Sequence, residues 1–346
     1  MTVPRIGLIA RAEYARGLAI QSKNFYDHMP VAKTLVVQMP NPDCALRMDW
    51  YDNPTVMPSL PGHVLDEWIV RSWMEDLDVV FSVETPYDWS LPRWAREMGV
   101  KTVIQGNPEF VRHGQAGYEH FEHPDEWWWP TRWRLGHLPA GVHMPVPMPD
   151  HPKTCADPFD SDSLKIYHIA GKRAFADRNG TDIVINALRV FNKQVQVKMH
   201  GLEHSLPEIE PVMHLNMDVE KVGVPNLWDM HTDQHILVLP RRYGGLCLPA
   251  LEAASRGIAV MMPDVSPNDE LSTMRINANP GRQIRVACGQ IPTVDVHHYA
   301  LAQEVNQYVT DRSMLAEKMQ MAYDRVPRWS EWRQKYIDQF ARLCES

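Results

Sequence analysis

The chain has 346 residues, which is enough for about two domains with hydrophobic cores that need no disulfide or metal to fold. Hydrophobic residues make up 44% and charged residues 23%, a globular composition that excludes a mostly disordered chain. The net charge of −8 excludes a protein that coats nucleic acid with a basic surface. Charge and tryptophan are uneven, because residues 1–150 carry 13 Lys and Arg against 19 Asp and Glu, and nine of the 12 Trp.

Short apolar runs alternate with helical patterns through the first 105 residues. The runs that predict buried strands are residues 5–10, 34–38, 77–83 and 101–105. The helical patterns are residues 17–28, 64–74 and 91–98. This alternation is typical of a doubly wound α/β domain.

A proline-rich span divides the chain. Residues 144–163 contain five Pro, which continue neither a helix nor a central strand, and the linker is predicted at 148–163. Strand patterns then return at residues 164–170, 195–200, 234–240 and 257–262, with helices at 181–191 and 249–255. The sequence therefore predicts two α/β domains, at 1–147 and 164–327, and an amphipathic helix at 329–343.

The cysteines and the apolar runs indicate a compartment. None of the five Cys forms a C-x-x-C pair, which favours isolated thiols in a reducing environment. No run approaches the length of a membrane span or of a secretory leader. We expect a cytoplasmic protein.

The segment after the strand at 234–240 carries the strongest chemical signal. It reads RRYGGLCLPALE over residues 241–252, with two arginines, two glycines and a helix with Pro in its first turn. Glycines let backbone approach an anion, and a helix N-terminus and arginines attract phosphate. A carboxylate one turn into the helix can accept ribose hydroxyls. The candidate donor-binding residues here are Arg241, Arg242, Gly244, Gly245, Leu246 and Glu252; the alternative is an ordinary strand–loop–helix connection.

A second loop, at residues 169–182 (IAGKRAFADRNGTD), has the same organisation. Lys172, Arg173 and Arg178 crowd it before a helix whose first amide groups Thr181 and Asp182 can cap. A solvated basic loop is the alternative. Two such loops at equivalent places in one domain indicate a diphosphate site.

These segments resemble the C-terminal domain of family 4 glycosyltransferases, which are retaining enzymes with the GT-B fold. Residues 244–252 (GGLCLPALE) correspond to the family's E-G-F-G-L-P-x-x-E, and residues 257–260 (GIAV) correspond to G-x-P-V. Residues 171–173 and 179–182 correspond to its G-R and K-G-x-D motifs. Gly17, in RGLA after the first strand, looks like the glycine loop that borders the donor.

Three positions depart from the family pattern. Gly244 stands where the first motif Glu holds donor-sugar hydroxyls, and only Glu252 remains of the pair. Asn179 stands where the family has Lys, so Arg178 or Arg173 would take that role. The family's N-terminal His has no clear match, and residues 105–107 (QGN) occupy its place.

The resemblance implies two Rossmann-like domains with a cleft between them and a closing helix (328–346) that returns to the N-terminal domain. It implies transfer of a sugar from a UDP- or GDP-linked donor to an acceptor hydroxyl, with retention and without metal or cofactor. The motifs also resemble a divergent phage-type group. The acceptor is then a modified DNA base, a virion protein or a glycan, and the protein lies in the host cytoplasm.

Acceptor-side candidates follow the N-terminal strands. Glu84, Asp88 and Glu109, with Asn107, are candidates to orient or deprotonate an acceptor hydroxyl. Asp88 and Glu109 can alternatively cap helices. In a retaining mechanism the leaving phosphate can take the proton, so a base is not required. Candidate acceptor contacts are Tyr87 and, from the run WWWPTRWR at 127–134, Trp128 and Arg132, with core packing as the alternative.

Histidine spacing gives no convincing metal site. The pairs at residues 120 and 123, 200 and 204, and 231 and 235 are spaced like ligands, but 16 His make coincidence easy. Two other functions stay open. One is an inactive GT-B protein that binds nucleotide-sugar or glycan, suggested by Gly244, and the other is a sugar-nucleotide epimerase.

Overall fold

The computed structural model describes residues 3–13, 17–38, 46–58, 65–111, 122–133, 138–160, 162–171, 177–201, 206–220, 229–286 and 289–345. The chain divides into two compact units. Unit 1 comprises Met1–Pro149, Val286–Gly289 and Pro327–Ser346, and unit 2 comprises Asp150–Arg285 and Gln290–Val326. Within the described ranges, no helix combines the length and the apolar character that crossing a membrane requires.

The strands, in chain order, are β1 (Ile6–Ala10), β2 (Val31–Gln38), β3 (Thr55–Pro58), β4 (Val79–Val83), β5 (Lys101–Gln105), β6 (Glu126–Trp129), β7 (Val142–His143), β8 (Leu164–Ile169), β9 (Val195–His200), β10 (Asn216–Glu220), β11 (Ile236–Val238), β12 (Ala259–Pro263), β13 (Met274–Ile276), β14 (Asn279–Val286) and β15 (Gly289–Asp295). The α-helices are α1 (Gly17–His28), α2 (Glu67–Met74), α3 (Leu91–Glu97), α4 (Thr181–Ala187), α5 (Leu248–Ser255), α6 (Asn268–Leu271), α7 (His298–Thr310), α8 (Arg312–Arg325) and α9 (Trp329–Glu345).

Each unit contains an all-parallel sheet. The order is β3-β2-β1-β4-β5-β6-β7 in unit 1 and β10-β9-β8-β11-β12-β13 in unit 2, while β14 and β15 form a separate ribbon. In unit 1, apolar clusters cover both faces of the sheet, one built with α1 and α9 and the other with α2 and α3. The predicted doubly wound, Rossmann-like α/β class is therefore confirmed.

The predicted closing helix is α9, which packs on the unit 1 sheet. Tyr336 and Phe340 are buried and meet Trp128 with ring centroids 5.0 and 4.6 Å apart. Polar contacts hold the helix as well, since Gln105 Nε2 donates to Tyr336 Oη at 2.9 Å and Trp329 Nε1 donates to Asn24 Oδ1 at 2.9 Å. The apolar stripe read from the sequence is thus the face that docks.

The unit 2 core lies between its sheet and the helices α4, α7 and α8. It buries Ile166 and Val197 from the strands together with Val184, Leu301 and Leu315 from the helices. This packing fixes β8 and β11 and the starting points of the segments that follow them.

Candidate functional site

The strand order of unit 2 changes direction at the centre of its sheet. β8 and β11 lie side by side there, with β9 beyond β8 and β12 beyond β11. In an open parallel sheet, the usual ligand site is the crevice outside the carboxyl ends of two such strands. The segments that follow β8 and β11 are the two loops that the sequence assigns to the donor.

These two loops touch through their backbones. Gly180 has a left-handed φ of +73°, and a Cβ there would overlap the carbonyl oxygen of Pro240. Nearby, the backbone N–H of Arg242 donates to the Arg178 carbonyl oxygen at 2.9 Å. Only glycine satisfies both the backbone angle and the close approach at position 180.

Gly244 lies between two guanidinium groups. Its φ is +119°, and an added Cβ would overlap Nη2 of Arg178 and Nη2 of Arg241. The Arg178 guanidinium also stacks on the Tyr243 ring, 5.5 Å from its centroid. The position of the family's first motif glutamate therefore has no side chain here, and cations fill the space around it.

The two adjacent arginines serve different purposes. Arg241 is buried, and its guanidinium donates to the carbonyl oxygens of Gly245 at 3.3 Å and Leu246 at 2.9 Å. Arg242 forms an ion pair with Asp295 on β15. In this structure Arg241 holds the glycine loop from inside and the Arg242 charge is paired, and contact of either arginine with phosphate stays a prediction.

The start of α4 is capped from outside the helix. Asp177 Oδ1 accepts from Thr181 N–H at 2.9 Å, and its Oδ2 accepts from Asp182 N–H at 2.8 Å. The prediction that Thr181 and Asp182 supply the cap is wrong, since a preceding aspartate does so. Asn179, at the family's lysine position, donates to the Ile169 carbonyl oxygen at 2.9 Å and holds the loop.

The helix that follows the glycine pair is α5. Cys247 precedes it and makes no side-chain cap, so no side chain of this residue competes for the first amide groups. Pro249 has no N–H and the Ala250 N–H donates to the Cys247 carbonyl oxygen, so the partial positive charge of the helix N-terminus is the feature of α5 that favours an anion. Among the described residues, Arg178 contacts Gly244, and α5 begins four residues after it.

Glu252 lies one turn into α5 and is nearly buried. Its Oε2 is 3.3 Å from His231 Nε2, and His231 Nδ1 is 2.6 Å from the Tyr167 hydroxyl. Burial raises the pKa of Tyr167 well above its ordinary value, and the charge of Glu252 adds to this. Sequence reasoning missed this Tyr167–His231–Glu252 chain, because Tyr167 and His231 are 64 residues apart.

In unit 1, Glu84 and Asn107 lie together at the ends of the neighbouring strands β4 and β5. Asn107 Nδ2 donates to Glu84 Oε2 at 2.6 Å. Glu84 has a left-handed φ of +67° and Tyr87, in the same loop, has +64°. Such angles cost a non-glycine residue about 1–3 kcal/mol, and they cluster at functional sites.

The other two carboxylates are placed differently. Asp88 accepts from the backbone N–H of Leu65 at 2.9 Å and of Ser90 at 2.8 Å, so both its oxygens are occupied. Asp88 therefore holds the backbone at Leu65 and Ser90, and its catalytic role stays a prediction. Glu109 is buried with only 1% of its surface exposed.

The predicted aromatic acceptor contacts are buried. Trp128 is fully enclosed and donates from Nε1 to Glu126 at 2.8 Å, which leaves no ring face for a ligand. Tyr87 is 3% exposed, and burial raises its pKa. The acceptor assignments of Trp128 and Tyr87 are therefore corrected, since both pack inside unit 1.

The neighbours of Trp128 point to the opposite face of the sheet. Trp127 and Trp129 stack in parallel with ring centroids 5.2 Å apart, and Trp129 is partly exposed. Arg132, beyond β6, is exposed. Burial, followed by the charge of Arg132, lowers the pKa of His143. Side chains alternate along a strand, which explains why Trp128 packs on one face of the sheet while Trp127 and Trp129 pack on the other, where Trp127 is buried in a separate apolar cluster.

Three remaining candidates complete the comparison with the sequence. Gly17 is exposed and begins α1, as the helical pattern at residues 17–28 predicts, and its place beside the donor stays a prediction. Lys172 and Arg173 lie outside the described residues. No group of three or more His, Cys, Asp or Glu within the described ranges is arranged to hold a metal ion.

Two Rossmann-like units in series, with a glycine–arginine loop at the switch point of the second, define a GT-B type architecture. HepE of Anabaena, solved with UDP, matches at a TM-score of 0.66 and 10% identity over 97% of this chain and 99% of that chain. Sucrose-phosphate synthase of Thermosynechococcus elongatus matches at 0.61 and 12% identity, over 98% and 99%. The lipopolysaccharide galactosyltransferase WaaB matches at 0.56 and 11% identity, over 92% and 96%. No family model and no curated protein matches the chain. At these identities the likeness shows the fold.

Proposed function

We propose that this protein is a glycosyltransferase that moves a sugar from a nucleoside-diphosphate sugar to an acceptor hydroxyl. The observation that carries the proposal is the Arg178 guanidinium against the bare backbone of Gly244, four residues before the start of α5. A leaving diphosphate needs cations and amide donors at this place when no metal neutralises it. HepE, of the same fold, has been solved with UDP, with UDP-glucose, and with UDP and glucose.

We propose that Glu252 accepts hydrogen bonds from the ribose hydroxyls while the diphosphate lies between Arg178 and α5. The carboxylate follows the phosphate-binding turn by one helical turn, so one nucleotide can reach both. The reaction we propose retains the anomeric configuration and needs no metal ion, as the motif resemblance implies. The leaving diphosphate, which keeps the electron pair of the broken bond to the sugar, would then accept the proton of the acceptor hydroxyl directly.

On the acceptor side we propose a role for the Glu84–Asn107 pair. A carboxylate held by an amide at the ends of two adjacent strands can orient an acceptor hydroxyl. The acceptor class is a modified DNA base, a virion protein or a glycan. Glu84→Gln is expected to lower turnover while leaving the affinity for the donor unchanged.

The test is donor turnover without acceptor, because retaining transferases commonly leak sugar to water. The purified protein is incubated with UDP- and GDP-linked hexoses, with and without EDTA, and nucleoside diphosphate release is measured. We expect release from at least one donor, unchanged by EDTA and lost in Arg178→Met. Loss of release with EDTA would overturn the metal-independent part alone.

A binding protein without turnover is the second candidate, and Gly244 favours it. The family's first motif glutamate contacts donor-sugar hydroxyls, and no side chain stands at that position here. Measurable affinity for UDP or GDP together with no release from any donor would select this second candidate over the transferase.

A further inference from the structure

Glu252 is a carboxylate in a nearly closed environment. Its side chain is 9% exposed, so its oxygens need hydrogen-bond donors from the protein or a ligand in place of water. His231 supplies one of them, with Nε2 3.3 Å from Oε2. The contact occupies one carboxylate oxygen, Oε2.

Donor and acceptor roles in the hydrogen bonds that link Tyr167, His231 and Glu252 follow from the chemistry of the groups at the two ends, the carboxylate and the hydroxyl. An ionised carboxylate only accepts, so the Nε2 of His231 carries the proton that it shares with Glu252. The Nδ1 of a neutral imidazole is then an acceptor, and the Tyr167 hydroxyl, 2.6 Å away, donates to it. Each hydrogen bond thus fixes the direction of the next.

The backbone around the hydrogen-bonded residues Tyr167 and His231 is itself held in place. Tyr167 belongs to β8, where it pairs with Leu237 of β11. His231 ends a 3-10 turn, Asp229–His231, whose last carbonyl oxygen accepts from Thr154 Oγ1 at 3.0 Å. Tyr167 and His231 are both fully buried, so neither ring has room to change rotamer.

We infer that His231, oriented by Tyr167, is a positioning residue that holds the Glu252 carboxylate in the orientation that recognises the ribose of a nucleoside diphosphate. This inference rests on the ribose role of Glu252 under the proposed function. At metal sites, a carboxylate that binds the metal is commonly oriented in the same way, by a hydrogen bond from a neighbouring residue. Without His231, the carboxylate turns and the ribose hydroxyls lose their acceptor.

The test compares nucleotides with and without ribose hydroxyls. Isothermal titration measures the affinity of wild type for UDP, GDP and their 2′,3′-dideoxy forms, and the same measurements follow for His231→Phe, His231→Gln, Tyr167→Phe and Glu252→Gln. Glutamine places an amide near the Nε2 position, so it retains the donor to Glu252, whereas phenylalanine retains only the ring. Thermal melting verifies that each variant is folded.

We expect His231→Phe to weaken binding of the ribonucleotide about tenfold, as Glu252→Gln does, with the dideoxy affinity unchanged. A double variant that combines His231→Phe with Glu252→Gln should bind the ribonucleotide no more weakly than either single variant. His231→Gln should recover most of the preference for the ribonucleotide over its dideoxy form. Tyr167→Phe gives a smaller loss in the same direction and decides the question if His231→Phe does not fold.

The outcomes separate the two proposals. A wild type without preference for ribose overturns the role of Glu252, and this inference with it. A wild-type preference that survives in both His231→Phe and Tyr167→Phe overturns the inference alone. An equal loss for ribose and dideoxy nucleotides assigns His231 a purely structural role and also overturns it.

Discussion

Gly180 and Pro240 join the two loops of the candidate donor site through backbone contact, because a Cβ at residue 180 would overlap the Pro240 carbonyl oxygen. We predict that Gly180→Ala destabilises the protein by about 2–5 kcal/mol, from left-handed strain and the clash together. It should also weaken nucleotide binding, since the loops must separate. Thermal unfolding and UDP or GDP titration measure these effects.

Gly99→Ala is the matched control for that substitution. Gly99 has a φ of +75°, close to that of Gly180, but an added Cβ has no neighbour within 4 Å. Its cost should be about 1–2 kcal/mol from strain alone, with nucleotide affinity unchanged. Equal costs for the two variants would show that the loops do not depend on this contact.

A second prediction concerns Gly244. Gly244→Ala should weaken UDP or GDP binding by about tenfold or more, because the methyl group displaces the guanidinium of Arg178. Gly244→Glu restores the family's residue but should be no better, since the longer side chain meets Arg178 and Arg241. A Gly244→Glu variant with raised turnover would contradict this description of the loop.

Arg178 and Arg242 should behave differently. Arg178→Met is expected to weaken diphosphate binding about 10- to 100-fold, the range for a lost hydrogen bond to a charged group. Arg242→Met should change it less than threefold, because Arg242 is paired with Asp295. Titration with the nucleoside diphosphate compares them, and a larger effect for Arg242 would reverse the assignment.

Buried histidines should make unit 2 sensitive to acid. Burial lowers the pKa of His168 and His235 to about 4, so the unfolded chain binds more protons than the folded one between about pH 6.5 and pH 4. The stability that the two neutral histidines contribute to the free energy of unfolding is complete above about pH 6.5 and is lost as the pH falls towards about 4. We predict a fall of about 1.4 kcal/mol per pH unit for each histidine in that range.

His235→Asn tests this dependence. His235 Nδ1 accepts from the Lys165 N–H at 2.9 Å, and an asparagine oxygen can replace that acceptor without titrating. Urea unfolding of the variant at pH 7, 6 and 5 should give a shallower decrease in unfolding free energy than wild type. An identical decrease would mean that His235 does not contribute.

Strands inside the sheets could be predicted from the sequence because most of their side chains are buried, although Gln196 and Lys198 of β9 are half-buried. The pattern at residues 101–105 matches β5, and that at 195–200 matches β9. β10, with the sequence NMDVE, lies at an edge and carries no apolar run, so its hydrogen bonding to β9 was needed to identify it.

The candidate site was less predictable, for reasons of direction and distance. Arg241 and Arg242 are chemically equal in the sequence, and only the fold buries one and pairs the other with Asp295, 53 residues later. The three-tryptophan run predicts opposite faces for its members but does not say which face α9 covers. The capping role of Asp177 had a local signal in the sequence, since an aspartate two residues before an Asn-Gly pair indicates a turn, here ahead of α4.

The most direct measurement of the central claim is release of nucleoside diphosphate from UDP- and GDP-linked hexoses by wild type, Gly244→Ala and Gly99→Ala. The account predicts release by wild type and by Gly99→Ala, and a loss of at least tenfold in Gly244→Ala. If wild type neither releases nor binds UDP or GDP, the donor site in unit 2 is contradicted.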